Sequence, residues 1–112
     1  MSQIHLSPEL SARLGLSPAQ ISMFCQRWQI RELWLFGSAL RQDFRADSDI
    51  DLLVSYQADA HHGLLARARM SNELEILCGR AVDLMTKQSI EQSQNELRRQ
   101  DILASAQAIY VA

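Results

Sequence analysis

Two short apolar runs, Leu33-Trp34-Leu35-Phe36 and Ile50-Asp51-Leu52-Leu53-Val54-Ser55, flank a segment that begins Gly37-Ser38 and ends Asp49-Ile50-Asp51. The first run is apolar at every position, as in strands covered on both faces at the middle of a sheet. The second alternates, with Ile50, Leu52 and Val54 on one face and Asp51 and Leu53 on the other. One stretch thus offers a turn that can cradle phosphate at one end and a carboxylate pair that can hold metal ions at the other.

The rest of the chain reads as helices alternating with strands. Ser7-Pro8-Glu9 and Ser17-Pro18-Ala19 are helix starts, with serine as the cap and proline at the first helical position. Gly15 ends the first helix. The second spans 18–29 and places Ile21, Phe24, Cys25 and Trp28 on one face. Residues 38–44 read as a short helix, 57–63 as a loop, and 64–78 as a longer helix with Leu64, Ala68, Ser71, Leu74 and Cys78 inward and Gly79 as its stop. Residues 81–86 read as a third strand, 87–94 as irregular chain. The last helix is placed at 96–110, with Leu97, Ile102, Leu103, Ala106 and Ile109 as its apolar positions. This predicts an α/β (α+β) fold with a small mixed sheet of three or four strands and flanking helices. At 112 residues, the expectation is one domain over 1–112. A sheet with so few helices leaves a face that a partner can cover.

Charge and cysteine content exclude some classes. A net charge of −2 and a pI of about 5.8 lack the basic footprint of a duplex-binding protein. No apolar stretch is long enough to span a bilayer, and the start has no signal-peptide pattern. Cys25 and Cys78 read as buried thiols, which points to a reducing cytoplasm.

The chemistry rests on a few polar residues. Asp49 and Asp51 lie two apart, so they share a face about 7 Å from each other along a strand. Paired carboxylates are the hard oxygen ligands that magnesium takes while keeping positions for phosphate. Taken alone, the pair reads first as a polar turn. Gly37 lets backbone approach a ligand closely, and Ser38 opens the following helix; taken alone, Ser38 reads first as a cap. Arg41 and Arg45 fall on the same helical face as Ser38, where arginine meets phosphate oxygens. Arg45 fits a solvated pair equally well. Asp83 interrupts the apolar run Val82-Asp83-Leu84 and needs a partner or cation there. Beside the second strand it completes a three-carboxylate cluster and is placed to accept a proton from an attacking hydroxyl. There is no Gly-x-x-x-x-Gly-Lys loop. His61 and His62 read as surface residues, Trp28 and Trp34 as core; Tyr56 and Tyr110 have no role to assign.

In combination these residues are specific. Gly37-Ser38, ten intervening residues, Asp49-Ile50-Asp51 and a later strand aspartate, Asp83, resemble the DNA polymerase β-like nucleotidyltransferase superfamily. The run from Ser48 to Val54 and Val82-Asp83-Leu84 look most like its minimal nucleotidyltransferase branch. The resemblance implies that Gly37 and Ser38 hold the β- and γ-phosphates of ATP, with Arg41 at a basic position beside them. It implies that Asp49, Asp51 and Asp83 bind two Mg²⁺ ions, and that Asp83 activates the acceptor. Gln42 departs from the pattern, where glycine is frequent.

The implied activity is AMP transfer from ATP to a hydroxyl, with a tyrosine of a partner HEPN-domain ribonuclease toxin as acceptor. The chain would then be the antitoxin of a type VII toxin–antitoxin pair, forming a hetero-oligomer with its toxin. An antitoxin that neutralises by occlusion is the alternative, and a small-molecule nucleotidyltransferase the third reading. Larger relatives carry an acceptor-binding domain, which is not expected here.

Overall fold

A computed structural model describes residues 2–42, 44–45, 47–60 and 62–112. Its elements run β1 (Gln3–Ile4), α1 (Pro8–Leu14), α2 (Pro18–Arg27), β2 (Ile30–Phe36), a 3₁₀ turn (Gly37–Leu40), β3 (Ile50–Tyr56), α3 (Leu64–Cys78), β4 (Val82–Thr86), α4 (Lys87–Glu91), α5 (Glu96–Ser105) and β5 (Gln107–Val111). The strands form one five-stranded sheet, ordered β1-β5-β2-β3-β4. All neighbours are antiparallel except β3 and β4, which run parallel, with α3 as the crossover.

Local chemistry explains several boundaries. The Ser7 hydroxyl accepts from Leu10 N–H, and Ser17 forms a reciprocal capping box with Gln20. Gly15 and Gly79 close α1 and α3 in the left-handed conformation. β2 lies between β5 and β3, the interior place that its unbroken apolar run indicated.

The two faces of the sheet carry separate cores. Ile50, Leu52 and Val54 pack with Ile21, Phe24 and Cys25 of α2 and Met70 and Leu74 of α3. On the opposite face Phe36 and Leu53 pack with Ile90 of α4 and Ile102 of α5. The alternation in β3 therefore divides two hydrophobic layers, and Asp51 shares its face with Leu53 and the α4–α5 layer.

Four sequence expectations are corrected. The last helix stops at Ser105, and residues 107–111 form β5 between β1 and β2. Ile102, Ala106 and Ile109 have helical spacing, but Leu33 pairs with Tyr110, and Ile109 and Tyr110 become fully buried. Sheet completion overrides the local period, and with β1 it raises the strand count to five. The 38–44 helix shrinks to one 3₁₀ turn because Arg41 is extended (φ −109°, ψ 164°); Asp43, within that stretch, lies outside the described residues. Residues 87–91 are helical, capped by the Thr86 hydroxyl. The inward stripe of α3 is centred on Met70 and Leu74; Leu64 and Ala68 are exposed. Large apolar residues surround α3 on every side, so its period could not fix its rotation.

Cys25 is buried and Cys78 half-buried, both as free thiols. Burial pushes the Cys25 thiol up to about 12. A thiol reagent at pH 8 is expected to label Cys78 first and Cys25 only after denaturant. Equal native rates, measured by mass spectrometry of the labelled chain, would contradict the packing of α2.

Of the two tryptophans, Trp28 is half-buried and its indole N–H donates to Glu73 Oε2 at 2.9 Å. The Trp34 indole N–H is buried and unpartnered among the described residues, with the Lys87 ammonium 4.6 Å from the ring centroid. His62 is half-buried, its Nε2 2.7 Å from the Trp28 carbonyl and its ring against Tyr56. His61 lies outside the described residues.

Candidate active site

The site forms where β2 ends and β3 and β4 begin. Phe36 pairs with Asp51 across β2 and β3, and Asp51 pairs with Asp83 across β3 and β4. Parallel register places Asp51 and Asp83 on the same face of adjacent strands, about 4.8 Å apart in the hydrogen-bonding direction. Asp49 stands immediately before β3. The Ser38 hydroxyl donates to the Asp49 carbonyl at 3.4 Å, tying the Gly-Ser turn to the carboxylate segment.

Gly37 is required twice over. Its φ of +77° lies in the left-handed region. A side chain there would also overlap the Asp51 carboxylate, whose Oδ2 occupies the space of the missing Cβ. Glycine is thus what allows the turn to lie against Asp51.

The loop between Ser38 and Asp49 is held from outside. The Arg13 guanidinium on α1 donates to the carbonyls of Ala39 at 2.8 Å and Arg41 at 3.0 Å. The Phe44 ring lies 4.5 Å from the Arg80 guanidinium carbon and 5.8 Å from that of Arg13. Arg80 also donates to the Arg45 carbonyl at 2.8 Å, while Arg45 N–H donates to the Ser48 hydroxyl at 2.9 Å. These contacts take up the backbone groups that a continued helix would have used.

An open cleft of about 850 Å³ lies over these residues. Gly37, Ser38, Arg41, Asp49, Asp51 and Asp83 all line it. These six residues singled out from sequence are therefore in one place. Arg45 is not in the lining, because the helix expected to carry it there is absent. Asp83 is exposed to the cleft, so the burial cost expected for it in mid-strand does not arise. The cleft is also lined by the α5 residues Arg98, Asp101 and Ser105. None of these three stands among the site residues named from sequence. Their i, i+3, i+7 spacing beside buried Ile102 was the available signal.

Burial raises the carboxyl of Asp51 above its ordinary 3.8, and the charges of Asp83 and Asp49 raise it further; Arg41 and Arg98 oppose them. Three carboxylates thus line one cleft with excess negative charge, an arrangement that favours a cation. Their all-oxygen donors, on a solvent-open face, fit magnesium better than a soft metal. Among the described residues, no three carboxylate, imidazole or thiol groups stand close enough to form a finished ligand set.

A strand-end glycine turn thus lies against strand carboxylates under one open cleft. Residues 19–109 match the Nucleotidyltransferase domain family, and the chain belongs to it. It is 36% identical over 66 residues to a protein adenylyltransferase, MntA, of Thermococcus cleftensis, covering 59% of this chain and 65% of that protein. The chain therefore spans just under two thirds of that relative's length. A solved structure described as a minimal nucleotidyltransferase is 31% identical, with a TM-score of 0.63 over 88% of this chain and 91% of that one. The fold is also that of a chain in a complex of tri-AMPylated HEPN toxin with MNT antitoxin from Shewanella oneidensis. There the identity is 16% and the TM-score 0.56, over 92% of this chain and 73% of that one. No helix among the described residues is long and apolar enough to cross a membrane.

Proposed function

We propose that this chain is an Mg²⁺-dependent protein adenylyltransferase that transfers AMP from ATP to a tyrosine hydroxyl of a HEPN-domain toxin, and so acts as its antitoxin. The observation that carries this reading is the convergence of Asp49, Asp51 and Asp83 beside Gly37 and Ser38 in one cleft. The names of the relatives support the acceptor class.

In the reaction, a bond forms between the acceptor oxygen and the α-phosphorus. The bridging bond from the α- to the β-phosphate breaks, and pyrophosphate leaves. Asp83, exposed at the cleft, takes the hydroxyl proton. Gly37 and Ser38 receive the β- and γ-phosphates on the turn held by Arg13. Arg41 supplies positive charge beside them. Asp49, Asp51 and Asp83 would hold two magnesium ions, which when bound neutralise phosphate charge and polarise the reacting oxygens. The protein's own contribution is positioning and fixed charge, the main sources of rate in this chemistry.

The test is transfer of label to a purified HEPN toxin with magnesium. Label from the α-phosphate of ATP is expected on the toxin, and label from the γ-phosphate is not. Absence of α-label, with folded protein and bound nucleotide, would overturn the proposal. Toxin neutralisation retained by an Asp49→Asn, Asp51→Asn variant would transfer the antitoxin role to occlusion.

A further inference from the structure

We infer that Arg98 of α5 is a triphosphate-binding residue, which meets the nucleotide from the α5 wall of the cleft. The inference rests on the nucleotide-binding reading of the cleft and adds the α5 wall to it. Three features of the structure converge on Arg98.

The first is placement. Asn95 caps α5 by accepting from Arg98 N–H at 3.2 Å, which fixes the first turn. One turn later Ile102 is buried with Phe36 and Leu53 on the Asp51 side of the sheet. Residues four apart share a helix face, so Arg98 is carried over the same face as Asp51. It lines the cleft together with Arg41, Asp49, Asp51 and Asp83.

The second is availability. The neighbouring Arg99 is committed to its own helix start, donating to the Ser93 carbonyl at 3.4 Å and lying 3.8 Å from Glu96. Arg98 is exposed, and among the described residues no hydrogen bond or ion pair holds its guanidinium. Two adjacent arginines thus have different assignments.

The third is charge. The cleft is lined by four aspartates, Asp49, Asp51, Asp83 and Asp101, and by two arginines, Arg41 and Arg98. A triphosphate brings several further negative charges, whereas a phenolic acceptor brings none before reaction. Guanidinium forks match phosphate oxygens two at a time. Of the α5 residues at the cleft, Arg98 and not Asp101 is therefore suited to the nucleotide's phosphates, and a neutral acceptor gives the guanidinium no comparable partner.

Calorimetric titration with ATP, ADP and AMP in magnesium tests this in wild type, Arg98→Ala, Arg98→Lys and Arg99→Ala. Arg98→Ala is expected to weaken ATP about tenfold to a hundredfold, the worth of a charge-assisted hydrogen bond. AMP affinity should stay the same. Arg98→Lys should restore part of the loss, and Arg99→Ala should bind like wild type. In the transfer assay the KM for ATP should rise and that for the protein acceptor should not. Unchanged ATP affinity, equal losses on AMP and ATP, or a KM change confined to the acceptor would each overturn the assignment. If Arg98→Ala does not fold, Arg98→Gln and Arg98→Lys carry the same comparison. A wild type that binds ATP but transfers nothing sinks the adenylyltransferase reading and leaves the Arg98 comparison in force. A wild type that binds no ATP sinks both.

Discussion

Replacing Asp51 by asparagine is expected to abolish AMP transfer while leaving the melting temperature at or above that of wild type. The two effects have one cause. Asp51 is partly withdrawn from water and faces Asp83 and Asp49, so its ionised form is less favourable in the fold than in the unfolded chain. For a carboxyl raised in this way, the penalty is absent when the group is protonated in both states. It sets in as pH rises past the ordinary carboxyl value of 3.8 that holds in the unfolded chain, and is complete once pH exceeds the raised value of the fold. Asparagine keeps the shape and removes the charge, so stability is held or gained in chelator. Activity falls by about a thousandfold or more, the scale for removing one charge-stabilising group from a phosphoryl-transfer site. Label transfer and a thermal melt on the same preparation check both signs. A large drop in melting temperature would mean that Asp51 supports the fold and would break the link between strain and site.

Gly37→Ala is the second large effect. Alanine at φ +77° costs about 1–2 kcal/mol from backbone sterics alone. Its methyl also meets Asp51 Oδ2, so either the turn or the carboxylate must move. The expected outcome is a stability loss above that backbone figure together with loss of transfer. The two contributions separate in an Asp51→Ala background, where the overlap is relieved because the Asp51 Cβ is 3.4 Å from the added carbon, ordinary contact. There the Gly37→Ala cost should fall to about the backbone figure alone. An unchanged cost in the double variant would show that Asp51 does not press on the turn.

The structure also explains why the site was more legible than the fold around it. Gly37, Ser38, Asp49 and Asp51 are close in sequence, and strand alternation and a turn suffice to relate them. Asp83 needed one further assumption, that its strand lies beside β3, and the parallel register supplies it. Arg98 had no such local mark. A solvent-facing arginine and one facing a cleft look alike along a helix until Ile102 fixes the rotation of α5.

The errors follow the same rule. Ile109 continues the helical spacing of Ile102 and Ala106, but residues 107–111 take their strand conformation from pairing with β1 and β2. The short helix after Gly37 was undone by Arg13, whose guanidinium takes carbonyls 26 and 28 residues away in the chain. Neither contact has a signature in the residues it reshapes.

By itself, then, the sequence determined the two strands around the 37–51 stretch, the serine caps of α1 and α2, the glycine stops of α1 and α3 and the chemical identity of the carboxylates, because these depend on neighbours a few residues apart. The tertiary structure alone decided β5, the extended path of Arg41, the rotation of α3 and the placement of Arg98 over the carboxylates. Each depends on a partner distant in the chain, and the free energy of sheet pairing or core burial there outweighs the local preference of the segment.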